Sequence, residues 1–270
     1  MRLSRTLVSV ANDSPIDELG VTAMARTAVR IPTTDGQADA TLHTPDGAGP
    51  RPGVVMFPDA GGARETFAAM GDHLASLGFV TLVPDVYYRS VPWQPFNLDT
   101  AFTDEAERKR LFAQMGTLTR ERIIADAGAY LEFLLARDEV SGRSAGTTGY
   151  CMGGRMSMIA AGEHPDLVGA AASFHGGRIA LADDPHSPHL AAPRMQATIY
   201  VAGAENDESY TPDQAELLEV ALTEAQVRHT LEIYPAHHGF AVPDNPTHDP
   251  AAEARHWDAL ARLYGSALGG

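Results

Sequence analysis

Residues Thr147-Thr148-Gly149-Tyr150-Cys151-Met152-Gly153-Gly154, reading TTGYCMGG, contain the only cysteine of the 270-residue chain. A strand-like run, Ala145 to Gly149, leads into it, and Arg155 to Glu163 beyond it carries helical spacing. In a parallel sheet, ligands sit beyond the carboxyl ends of the strands, which is where such a strand-to-helix turn falls. The pattern Gly149-x-Cys151-x-Gly153 has the spacing of a nucleophile elbow with cysteine in the serine position. Glycines suit it because the strained turn pushes its central side chain outward and leaves little room two residues either way. A helix beginning near Gly153 would aim its amide dipoles at the sulfur, favouring a thiolate and an oxyanion. From these residues alone, Cys151 is as readily a structural cysteine as a nucleophile.

Outward from the turn, buried strands alternate with amphipathic helices. Two alternating segments from Thr27, joined by Thr34-Asp35-Gly36, predict an antiparallel hairpin. Val54 to Phe57 and Phe79 to Val83 predict short strands buried on both faces, with a helix over Glu65 to Leu77 closed by Gly78. Thr103 to Arg137 is long, charged and periodic, and predicts two helices with a break near Gly116. Further strands are expected at 167–174, 197–202 and 230–234, and helices at 213–225 and 251–264. This is an α/β fold with a mostly parallel central sheet, helices on both faces and an antiparallel N-terminal edge. Patterning begins at about residue 25. Residues 1–24 read as a loosely ordered extension, with Met24 an alternative start, and residues 25–270 as one catalytic domain. The Pro-rich stretches 90–104 and 178–194 read as loops over a site. Asp104 to Arg110 reads as a solvated helix face. Trp93 and Phe96 are either an apolar lid or pins for the loop that carries them.

Composition narrows the function. Twenty basic against 35 acidic residues give a formal charge of −15, which repels a phosphate backbone and disfavours nucleic acid as a partner. A single cysteine excludes an intrachain disulfide framework and a cysteine-based zinc site. No apolar run reaches the length of a membrane span, and the N-terminal stretch lacks the form of a signal peptide. The expectation is a cytoplasmic protein with no metal or organic cofactor. The oligomeric state is not legible.

A hydrolase built on such an elbow needs an acid and then a histidine, each in a loop after a later strand. Glu205 and Asp207 both follow the strand ATIYVA, and His237 and His238 both follow LEIY. The order fits, and the residues alone leave both choices open. An acid before a helix is often only a cap, but Thr211 or Asp213 can fill that place.

With these pieces assembled, the chain resembles the dienelactone hydrolases, a cysteine-dependent branch of the α/β-hydrolase fold. GYCMGG (149–154), PDVYYR (84–89), Asp207 and HGF (238–240) carry the resemblance, which runs from about residue 25 to 264. It implies cleavage of a small ester or lactone through a thioester on Cys151, with His238 as base and Asp207 orienting it. Backbone N–H groups of Met152 and Ala60 would hold the oxyanion. The resemblance also assigns Asp59, Tyr88 and Arg89 to substrate binding, with Arg89 to receive a substrate carboxylate; the alternative for Arg89 is a surface salt bridge. His175, in SFHGG, is expected on the same face, lining the pocket, with satisfaction of a backbone carbonyl as the alternative. Asp59 stands where the dienelactone-cleaving relatives carry a glutamate, and Val242 where they carry a second arginine, so a two-arginine clamp is not supported. Two other classes are compatible with this fold: a non-catalytic ligand-binding member, and a redox-sensing thiol protein. The intact Cys, Asp and His disfavour the first, and the lack of a resolving cysteine the second.

Overall fold

The hairpin expected at the start is β1 (Ala25–Thr33) paired antiparallel with β2 (Gly36–Thr44), Thr33 facing Gly36 across the turn. Gly36 has φ 140°, a conformation that favours glycine. The computed structural model describes residues 25–47 and 49–269, so the expected extension over 1–24 lies outside the described residues. β2 pairs antiparallel with β4 (Val80–Pro84). From β4 onward the sheet is parallel, through β3 (Arg51–Phe57), β5 (Val140–Tyr150), β6 (Val168–Phe174), β7 (Thr198–Asn206) and β8 (His229–His237). The spatial order is β1-β2-β4-β3-β5-β6-β7-β8.

Strand alternation sorts the core into two layers. Val54 and Met56 of β3 pack in the layer of α1 (Glu65–Ser76) and α6 (Pro250–Ala267). Val55 and Phe57 point the other way, with α3 (Arg120–Leu135), α4 (Met152–Glu163) and α5 (Pro212–Glu224). Fully burying each such side chain contributes about 1.5–3 kcal/mol. Consecutive apolar residues in β3 and β4 therefore mark strands covered on both faces. The remaining helix, α2 (Glu105–Met115), is shorter on apolar residues and buries Leu111. Its Asp104 is more than part of a solvated face: it caps the helix by accepting from Glu107 N at 2.9 Å.

Boundaries differ from expectation where tertiary pairing extends an element. β5 starts five residues early, at Val140, because Arg51 and Pro52 of β3 pair with Val140 and Ser141. β7 runs on to Asn206 beside His237 of β8. That places Glu205 inside a strand and makes His237 the last residue of one. α4 starts at Met152, immediately after the cysteine. Among the described residues no helix is long and apolar enough to cross a membrane.

Candidate active site

Cys151 sits between β5 and α4 with φ 53° and ψ −115°, a strained conformation for a residue with a side chain. The surrounding glycines are required by contact. A Cβ on Gly149 would lie 1.9 Å from Gly153 O, and one on Gly153 would lie 2.3 Å from Phe57 O. The strand, the helix and the neighbouring β3 thus approach backbone to backbone. Met152 is the first residue of α4, so its N–H is one of the donors that a helix N-terminus leaves free. The Cys151 N–H is held from below, 3.1 Å from both Phe174 O and His175 Nδ1. The cysteine itself remains partly exposed.

His238 and Asp207 meet beside it. His238 Nδ1 lies 2.7 Å from Asp207 Oδ2, while Asp207 Oδ1 accepts from Ser209 N at 2.8 Å and Ser209 Oγ at 2.6 Å. The carboxylate is almost wholly buried, with 2% of its side chain exposed. Burial alone would raise its pKa, but His238 and Ser209 together hold it below the usual carboxylate range. Burial likewise lowers the pKa of His238. The charge of Cys151, its hydrogen bonding with His238, and Asp207 outweigh this and push His238 up to about 10. Gly239, at φ 98°, turns the chain after the histidine, and Phe240 is buried edge-on against His175 at 4.9 Å. This explains each letter of HGF.

The loop after β3 carries the expected second oxyanion donor. Asp59 O accepts from Gly62 N and Asp59 Oδ1 from Gly61 N, both at 2.9 Å. Tyr87 Oη donates to Ala60 O, also at 2.9 Å. Among the described residues nothing takes the Ala60 N–H. Tyr87 Oη also lies 3.6 Å from Met152 Sδ, so one phenol touches both expected oxyanion residues. Tyr87 lies inside PDVYYR, and no local signal in the sequence marks it as a contact of the oxyanion loop.

The expected substrate residues are placed otherwise. Tyr88 Oη donates to Asp126 Oδ1 at 2.9 Å, and Arg89 grips the same carboxylate at 2.6 and 2.8 Å and Asp35 at 2.6 Å. Asp126 is buried on α3, and a buried carboxylate needs a bonded cation. Arg89 answers that need, which is the salt-bridge alternative for this residue. Asp59 is held by Arg64, at 2.7 and 3.0 Å, rather than by the cysteine. His175 is fully buried under the elbow instead of lining a pocket. Burial, with the charge of His238 nearby, holds it well below its ordinary pKa. It is therefore neutral and can accept through Nδ1. Trp93 and Phe96 are pins: Trp93 Nε1 donates to Asp85 at 2.9 Å, and the Arg110 guanidinium lies 3.8 Å from the centre of the Phe96 ring. Among the described residues no group of three or more His, Cys, Asp or Glu side chains is placed to hold a metal ion.

Known proteins share this arrangement of chain. The dienelactone hydrolase family model matches residues 38–268. A Synechocystis protein named "Putative carboxymethylenebutenolidase" is 27% identical over 250 residues, 90% of this chain and 97% of that one. A carboxymethylenebutenolidase of Pseudomonas sp. is 26% identical over 239 residues, 84% of this chain and 91% of that one. Among solved structures, a dienelactone hydrolase-like promiscuous phosphotriesterase from metagenomic libraries is 26% identical with TM-score 0.72, covering 90% of this chain and 99% of that one.

Proposed function

The chain belongs to the dienelactone hydrolase family, and from that premise we propose that it hydrolyses a small carboxylic ester or lactone with Cys151 as nucleophile. The observation that carries this reading is the 2.7 Å contact of His238 with buried Asp207, set beside a cysteine on a strained elbow at a helix N-terminus. The thiolate is the reactive form of cysteine, and a protonated His238 beside it supports that charge.

The thiolate attacks the carbonyl carbon, and the carbonyl π electrons move to oxygen. The backbone N–H groups of Ala60 and Met152 receive that oxyanion. On collapse the C–O bond breaks, His238 gives its proton to the leaving alkoxide, and a thioester remains on Cys151. Acylation removes the thiolate charge, the largest influence raising the His238 pKa. The histidine is then able to take a proton from water, which attacks the thioester. Collapse of that second intermediate releases the acid and restores the thiolate. Asp207 holds the imidazole by Nδ1 throughout, leaving Nε2 for the chemistry.

The test is turnover of p-nitrophenyl acetate. Cys151→Ala is expected to abolish it, and prior alkylation of wild type with iodoacetamide to block it. Hydrolysis unchanged in Cys151→Ala would refute the mechanism.

A further inference from the structure

We infer that the substrate is uncharged, and that this site selects against an ester or lactone bearing a carboxylate. The inference rests on the hydrolase reading above and adds the substrate class. Its basis is how the cations near the site are already used.

Arg64 stands closest to the oxyanion loop, and all five of its N–H donors are engaged inside the protein. Nε and Nη2 bond Asp244 at 2.7 Å each, Nη1 and Nη2 bond Asp59 at 2.7 and 3.0 Å, and Nη1 bonds Gly62 O at 3.1 Å. Arg89 is spent on Asp126 and Asp35. Val242 is fully buried with Tyr234 and Phe240 in the α1–α6 layer. The loop is lined by the Arg64–Asp59 ion pair on one side and by apolar and aromatic side chains on the other. A Cβ on Gly61 would lie 2.8 Å from Arg64 Nη1 and 3.1 Å from both Asp59 Oδ1 and Leu98 Cδ2, and one on Gly62 would lie 2.8 Å from Trp93 Cη2. Asp59, adjoining Ala60, adds a carboxylate rather than a cation. A carboxylate entering this space loses water and gains no charged partner, which is unfavourable. The formal charge of −15 opposes its approach as well. Two further arginines lie past the elbow. Arg155, in the first turn of α4, bonds Asp184 at 3.1 Å and Arg178 O. Arg178, on the loop after β6, is exposed, its backbone N–H bonded to Ser209 O at 2.8 Å. An exposed guanidinium does not supply a dry anion pocket.

The experiment compares p-nitrophenyl hydrogen glutarate with its neutral methyl ester, two substrates of similar length and the same leaving group. The expected result is a kcat/KM about 100-fold or more higher for the neutral ester, because an unpaired buried charge is rejected far more strongly than a size mismatch. The gap should persist in high salt, since local desolvation is not screened as long-range repulsion is. Turnover of the anionic ester within about threefold of the neutral one, or a gap erased by salt, would overturn the inference while leaving the hydrolase intact. If that anionic turnover were lost in Arg178→Ala, the anchoring cation would be identified. Absence of turnover with both esters, or turnover surviving in Cys151→Ala, would instead bring down the hydrolase reading and this inference with it.

Discussion

Two histidine–aspartate pairs in this molecule share a bond length and little else. His238 Nδ1 lies 2.7 Å from Asp207, and His43 Nδ1 lies 2.7 Å from Asp72. The second pair even has a hydroxyl on its other side, with Thr41 Oγ1 2.8 Å from His43 Nε2. Yet the two histidines shift in opposite directions. Burial takes His43 below its ordinary pKa despite Asp72, because that carboxylate also serves Arg26 and the group at Nε2 is a neutral hydroxyl. His238 rises to about 10 because its third partner is a cysteine that can carry charge. The backbone completes the contrast: Thr41 is locked in register between Ala28 and Val83, whereas Cys151 opens onto the free donors of a helix start. A His–Asp contact is thus a common way to satisfy a buried imidazole. The group beyond it and the free N–H donors around it make a site reactive.

Mutations should separate the pairs. Asp207→Asn is expected to lower kcat by about 10⁴-fold through loss of the correct tautomer, while Asp72→Asn leaves kcat unchanged and lowers the melting temperature. A kcat loss in both would erase the distinction between the two pairs. His175→Leu comes next, with a loss of about 10²-fold from a loosened elbow. His175→Asn, which keeps an acceptor for the Cys151 N–H, should recover much of it, and equal losses in both variants would remove that role.

The histidines should also part in pH-dependent stability. A raised pKa means that the stabilisation by His238 is complete below about 6.5, its unfolded value. It is lost as pH climbs towards about 10. The melting-temperature difference between wild type and His238→Gln should therefore shrink across that window. A lowered pKa means that His43 stabilises above about 6.5, and that this contribution is lost on acidification. The smallest effect concerns packing: a Cβ on Gly71 would fall 2.7 Å from His43 Nε2. Gly71→Ala should cost about 1–3 kcal/mol by denaturant titration, although alanine is the better helix former by about 1 kcal/mol.

How far the chain could be read follows from the range of each interaction. The elbow, the hairpin and the break near Gly116 depend on neighbours a few residues apart, and the strand-to-helix order carried the fold. The acid–histidine pair was legible as an order of loops, and the resemblance chose between adjacent candidates. The salt-bridge partner of Arg89 is not legible locally, because Asp126 lies 37 positions away, on a helix whose charged face gives no sign that this residue points inward. His175 lies beneath the elbow, where its Nδ1 accepts from the Cys151 N–H. Nothing local distinguishes an imidazole in the cleft from one beneath the elbow. Tyr87 and Tyr88 are neighbours that part at the backbone, one reaching the oxyanion loop and the other α3.

Arg64 has a consequence for anyone who would rebuild this scaffold. Its guanidinium ties Asp59, in the loop after β3, to Asp244, which follows the HGF histidine. Arg64 and Asp244 are 180 positions apart in the chain, and their bond makes the two loops one structural part. A graft that brings the first loop from a relative without the second would leave Asp244 without the guanidinium that holds it. Loop exchange in this protein has to be done in pairs.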